Sequence, residues 1–158
     1  MFWRLLKTLL FTLVMPGTFG VYLPQVLKSG SLGLSLPVRL VGLAISGCGG
    51  VIYLWCAWDF ATKGLGTPLP LDAPRLLVVK GLYRLTRNPM YVGVLSLIFG
   101  QAIYYGSSSV GIYGGLVLLV FHLFVRVYEE PTLRRQFGSQ YEEYCGKVPR
   151  WILHLRRA

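Results

Sequence analysis

Long apolar runs broken by short basic clusters pattern this chain. Twenty residues without a charge separate Lys7 from Lys28, nineteen separate Arg39 from Asp59, and 38 separate Arg87 from Arg126. A helix crosses a bilayer with about 20 apolar residues. The first two runs therefore predict one crossing each, at about Thr8 to Leu27 and Leu40 to Phe60. The third predicts two short crossings, Met90 to Tyr105 and Ile112 to Tyr128, joined at Gly106-Ser-Ser-Ser-Val-Gly111. The expectation is an all-α, polytopic membrane protein of about four helices, with residues 1–158 as one domain.

Local signals refine the spans. Pro16-Gly17 predicts a kink in the first. Gly42, Ser46 and Gly50 recur every four residues in the second, a small-residue face on which another helix can pack closely. Residues 61–89 form a long cytoplasmic loop whose leucines and valines argue against disorder, so it should fold back onto something. After Tyr128 the tail, residues 129–158, places Leu133, Phe137, Tyr141 and Tyr144 at near-helical spacing between charges. It reads as an amphipathic surface helix, with Trp151 at headgroup depth.

Charge sets the orientation. The chain carries 16 basic against 6 acidic residues, net +10. With both termini in the cytoplasm, all basic residues except Lys28 and Arg39 lie inside, as the positive-inside rule requires. The excess is then a topology signal. It calls for no nucleic-acid partner and suits contact with anionic membrane lipids. The first apolar run is longer than a secretory h-region and no A-x-A-like site follows, so it is expected to be a retained anchor. Compactness favours a prokaryotic inner membrane. Cys48 and Cys56, about 12 Å apart along one helix, are too distant to bridge, and no Cys/His cluster has metal spacing. Gly64-Leu-Gly66 follows no strand and is not a dinucleotide fingerprint.

Ionisable residues beside a span suggest function. His122, Arg126 and Glu130 follow four-residue steps and predict one helical face, with Glu129 beside it. In the loop, Tyr83, Arg87, Asn88 and Tyr91 surround Pro89, whose place in the first turn of a helix leaves amides facing an anion. A pocket between the loop and the end of span four would combine anion-binding donors with two carboxylates and would suit a small zwitterion. The alternative is that Arg126 and the glutamates pair with one another at the interface, and that His122 only packs.

Two stretches carry a resemblance. "GLYRLTRNPMYVG" resembles the G-x-Y-x-x-x-R-[HN]-P-x-Y-x-G signature of the isoprenylcysteine carboxyl methyltransferase family, relatives of the membrane phospholipid N-methyltransferases. "EEPTLRRQFGSQYEEYCGKVPRW" resembles that family's second block. The resemblance covers about Lys63 to Trp151 and implies S-adenosylmethionine bound on the cytoplasmic side. It implies cofactor contacts from Arg75, Leu77, Val78, Gly81, Tyr83, Arg87, Asn88, Pro89, Met90, Tyr91, Glu129 and Glu130. Arg126 would face the carboxylate of a lipid-like small-molecule acceptor. Asn88 stands where eukaryotic members have histidine, and four spans are fewer than some relatives have.

Carboxylates are ionised at neutral pH and need no general base, which favours carboxyl O-methylation; an amine acceptor would need its proton removed. Lipid amine N-methylation, a nicotinamide-dependent membrane reductase and a non-catalytic lipid-binding protein are the alternatives. Oligomeric state and acceptor identity stay open.

Overall fold

A computed structural model describes residue 14, residues 16–62, residue 77 and residues 79–151, the side chains of residues 60–62 excepted. The described residues form helices and turns and no strand. A π-helical stretch, Pro16–Tyr22, runs into a short helix α1 (Leu23–Leu27). The long helix α2 (Leu36–Thr62) follows. After a 3-10 turn at Gly81–Arg84 come α3 (Pro89–Tyr105) and α4 (Ser108–Phe124). A second π-helical turn, Val125–Glu129, joins α4 to α5 (Glu130–Phe137), and α6 (Ser139–Lys147) ends the helical part.

Among the described residues, two helical stretches are long and apolar enough to cross a membrane: Leu36–Asp59, with mean hydropathy 1.8, and Ser108–Phe137, with 2.0. Only 33% and 17% of their windows are buried, so most of their apolar side chains face outward, as lipid-facing helices do. Helix α3, at 17 residues, is apolar but shorter. Of the expected first span, residues 8–13 and residue 15 lie outside the described residues.

Helices α2 and α3 pack backbone to backbone. A Cβ on Gly42 would lie 2.6 Å from the amide nitrogen of Tyr104, and one on Gly49 2.6 Å from both the Gly93 carbonyl oxygen and the Leu97 nitrogen. Ser46 between them donates its hydroxyl to the Leu97 carbonyl at 2.9 Å. The small-residue face is therefore Gly42, Ser46 and Gly49; Gly50, expected from its spacing, faces open space. Steps of four and then three follow the 3.6-residue period more closely than two steps of four, which drift off the contact line.

Both π-helical segments precede a proline. Pro24 has no N–H, and its ring crowds the preceding turn, so the carbonyls of Phe19 and Gly20 lose their helical donors. Other helices supply replacements: Tyr113 donates its hydroxyl to Phe19 at 2.7 Å, and the buried Gln101 amide donates to Gly20 at 2.6 Å. The expected irregularity near Pro16-Gly17 is thus a π-helix, set by Pro24 downstream. Pro131 plays the same part at the second segment, where the Glu130 amide reaches back five residues to Val125.

The turn between α3 and α4 is shorter than expected. Gly106 takes a left-handed conformation (φ 63°) and closes α3, and α4 begins at Ser108, so Ser108 to Gly111 are helical rather than linker. Serines make this early start workable. The Ser107 hydroxyl donates to the Ser29 carbonyl at 3.2 Å, and the Ser29 and Ser109 hydroxyls pair at 2.6 Å.

The tail is two helices rather than one, broken at Gly138 with φ 52°. The expected apolar face is present: Tyr141, Tyr144 and Val148 are buried together, with Leu133 and Phe137 packed against them. Leu77 joins this cluster, so this residue of the long loop does fold back, onto the tail.

Candidate functional site

Three segments converge at one end of the helix pair: the loop and first turn of α3 (Tyr83 to Tyr91), the π turn ending at Glu130, and a strap of irregular backbone, Val148 to Trp151. Proline at the first position of α3 places Asn88 just outside the helix, where its side chain faces the strap. The π turn does the corresponding work at Glu129 and Glu130. Its wider turn rotates Glu130 away from the face of Arg126. Arg126 is exposed whereas Glu130 is only 5% exposed, so the predicted His122, Arg126, Glu130 stripe is split.

The glutamates do not pair with Arg126. Glu130 is gripped by two other arginines. Arg150 reaches it as a fork, Nε to Oε1 at 2.6 Å and Nη2 to Oε2 at 2.9 Å, and Arg87 adds Nη1 to Oε1 at 3.0 Å. This bond to Glu130 raises Arg150 above its ordinary range. Buried charges persist only when paired in this way. Arg87 Nη1 also donates to the Cys145 thiol sulfur at 2.9 Å, and Arg87 Nε is buried with no hydrogen-bond partner among the described residues. Glu129 accepts instead from the Tyr91 hydroxyl, at 3.0 Å.

The strap is tied to the loop through its backbone. The Arg87 amide donates to the Pro149 carbonyl at 2.9 Å. The Arg150 carbonyl accepts from the buried Thr86 hydroxyl at 2.9 Å and from the Asn88 side-chain amide at 3.1 Å. Trp151 does not lie free at the surface: its indole N–H donates to His122 Nδ1 at 3.2 Å, and its ring centroid is 6.4 Å from that of Tyr91. His122 therefore presents a lone pair at Nδ1.

Tyr83 lies between these groups and the end of α2. Its carbonyl accepts from the Tyr144 hydroxyl at 2.7 Å. Burial pushes its phenol well above the ordinary range, and the neighbouring Cys56, Glu129, Tyr144 and Tyr91 add to the shift, so it stays neutral. Gly81 has φ 63°, and a Cβ there would stand 3.1 Å from the buried Asp59 carboxylate. Backbone and space both require glycine at this position.

Of the residues predicted from sequence, Gly81, Tyr83, Arg87, Asn88, Pro89, Tyr91, Glu129 and Glu130 meet around this cluster. Met90 turns inward, against the core formed by Tyr53, Ala57 and Val94. Leu77 packs on the tail, Arg126 is exposed, and Arg75 and Val78 lie outside the described residues. Arg150, Trp151, Thr86, Tyr144 and Asp59 were missed. The arginine and tryptophan of "VPRW" stood in the second block, and that was the one available signal for them.

A family model described as phospholipid methyltransferase matches residues 38–140. Over 72 residues the chain is 39% identical to proteins of Oryza sativa, subspecies indica and japonica, each named probable protein-S-isoprenylcysteine O-methyltransferase. It is 34% identical over 73 residues to protein-S-isoprenylcysteine O-methyltransferase B of Arabidopsis thaliana. Each match covers 46% of this chain, and 38% of either rice protein or 37% of the Arabidopsis one, so the chain matches less than two fifths of these curated relatives' length.

Proposed function

From the premise that the chain belongs to the phospholipid methyltransferase family, we propose that it transfers a methyl group from S-adenosylmethionine to a lipid-like acceptor at the membrane surface. The observation that carries this is the meeting of Arg87, Tyr91, Glu129 and Glu130 at one point, described above. The cofactor's amino-acid end bears a carboxylate and an ammonium group. The chain offers both complements: the buried Arg87 Nε–H, which has no partner among the described residues, as donor, and the Glu129 carboxylate, with lone pairs beyond the one Tyr91 uses, as acceptor. The residues therefore fit the group, with Arg87, Asn88, Glu129 and Glu130 holding it.

When bound, the cofactor supplies an electrophilic methyl carbon on a sulfonium. The chain's work is to orient the acceptor and exclude water. Tyr91, Phe121 and Trp151 make an apolar wall beside Glu129, the first two with ring centroids 4.6 Å apart. Arg126, exposed in the π turn that follows α4, orients an acceptor carboxylate arriving from the lipid. Carboxyl O-methylation needs no base and agrees with the names of the plant relatives. The family's description favours a phospholipid; were its amine the acceptor, Glu129 would take the proton. On this proposal residues 1–158 act as one domain, four helices cross the membrane, and the site faces the cytoplasm.

Calorimetric titration of S-adenosylmethionine into the detergent-purified protein tests the proposal, wild type beside Glu130→Gln and Glu130→Ala. Saturable binding, weakened on the order of 10-fold or more in folded variants, is expected for a misplaced site group. Absence of binding to folded wild type would overturn it.

A further inference from the structure

The strap contributes more to the site than the packing of a chain end. We propose that Val148 to Trp151 form the third wall of the cofactor site and that Arg150 is a positioning residue, acting through Glu130. This rests on the function proposed above and deepens it. The family model's match ends at residue 140, before the strap, while the strap's "VPRW" stands in the second block of the resemblance.

The first support is that the strap's position is dictated by the loop that carries the site. Val148 still donates its amide to the Tyr144 carbonyl at 3.0 Å, but Pro149 to Trp151 have no helical ladder of their own to hold them. The carbonyls of Pro149 and Arg150 are instead taken by Arg87, Thr86 and Asn88, from 2.9 to 3.1 Å. Thr86 is 1% exposed and Asn88 6% exposed, so these donors have been withdrawn from water to bind it. A chain end that merely lay on the surface would leave its carbonyls to solvent.

The second support is geometric. A carboxylate on the last torsion of a glutamate rotates in a broad well. Arg87 alone cannot prevent this, because it touches one oxygen, through a nitrogen it shares with Cys145. Arg150 meets both oxygens through Nε and Nη2 and so fixes the carboxylate plane. The one remaining lone-pair direction of Glu130, on Oε2, is then aimed rather than averaged. An ammonium group binding there meets a preset acceptor. Lysine cannot do this, since it places one point charge where the fork places two parallel donors.

Third, the strap touches the supports of both glutamates. Arg150 holds Glu130, while the next residue, Trp151, packs near Tyr91, the hydroxyl partner of Glu129. Displacing the strap would loosen both acceptors together.

The test is S-adenosylmethionine calorimetry with a melting curve for each protein: wild type, Arg150→Lys, Arg150→Gln, Glu130→Gln, the Glu130→Gln/Arg150→Gln double variant, and Arg135→Gln as an exposed charge-loss control. Thr86→Val, which removes one of the two donors to the Arg150 carbonyl and leaves Asn88, is the milder variant to read if the arginine changes unfold the protein. Expected is a loss of affinity on the order of 10- to 100-fold in Arg150→Lys, with the control unchanged. In the double variant the loss should be no greater than in Glu130→Gln alone, because the arginine acts through the glutamate. A smaller loss is expected in Thr86→Val. Undiminished affinity in folded Arg150→Lys, or in Thr86→Val where that is the variant read, overturns the inference. So do losses that simply multiply in the double variant. Wild type that is folded yet does not bind would instead overturn the function itself.

Discussion

Gly49 and Gly93 approach so closely that a Cβ on the first would stand 2.6 Å from the carbonyl oxygen of the second. Helices that share lipid gain little from hydrophobic burial against each other, and close backbone approach restores dispersion and weak hydrogen bonds. Gly49→Ala is therefore expected to cost roughly 3 kcal/mol, the upper range for overpacking. Gly50→Ala, one residue on and facing open space, should instead stabilise by about 0.5–1 kcal/mol through lower unfolded-chain entropy. Melting of the two variants in the same detergent checks this; equal effects would show that α2 and α3 do not meet along the Gly49 line.

Gln101 is held inside an apolar helix to serve the carbonyl that Pro24 leaves without a donor. Gln101→Leu should cost about 1–2 kcal/mol for an unsatisfied carbonyl in an apolar environment. Pro24→Ala returns an N–H to that turn, so the same Gln101→Leu change should cost less in the Pro24→Ala background. A thermodynamic cycle on the four proteins measures the coupling, and strict additivity would refute it.

The Tyr144 hydroxyl donates to the Tyr83 carbonyl at 2.7 Å, and burial raises both phenols above their ordinary value near 10. A raised folded-state value means stability that is complete below pH 10 and lost as pH climbs toward the folded value. Melting temperature should fall above about pH 10, and fall less steeply in Tyr144→Phe. That variant should also lose about 1 kcal/mol at neutral pH. A Tyr144→Phe curve parallel to wild type above pH 10 would contradict the assignment.

Tyr91 supplies the hydroxyl that holds Glu129. Removing it in Tyr91→Phe keeps the ring against Phe121 and Trp151 but frees the carboxylate. Affinity for S-adenosylmethionine should drop about 10-fold, the equivalent of one charge-assisted hydrogen bond, with the melting temperature changed by only a few degrees. Calorimetry beside a melting curve separates the two effects, and unchanged affinity would remove Glu129 from the site.

The sequence by itself determined the helical class, the two long apolar helices and one half of the candidate site. Charge-free runs, the Asn88-Pro89 step and the Glu129-Glu130 pair are one-dimensional signals, and each states something about its own neighbourhood. The amphipathic period of Leu133, Phe137, Tyr141 and Tyr144 belongs to the same kind, and these four do share one cluster. Only the tertiary structure decided which glycine faces α3, that a π turn parts Glu130 from Arg126, and that Arg150 rather than Arg126 grips Glu130. The first follows from the drift between a four-residue step and the helical period. The second depends on a proline ring crowding the turn before it. The third joins residues twenty positions apart across a glycine break at 138, and a buried carboxylate takes whichever cation the packing brings to it.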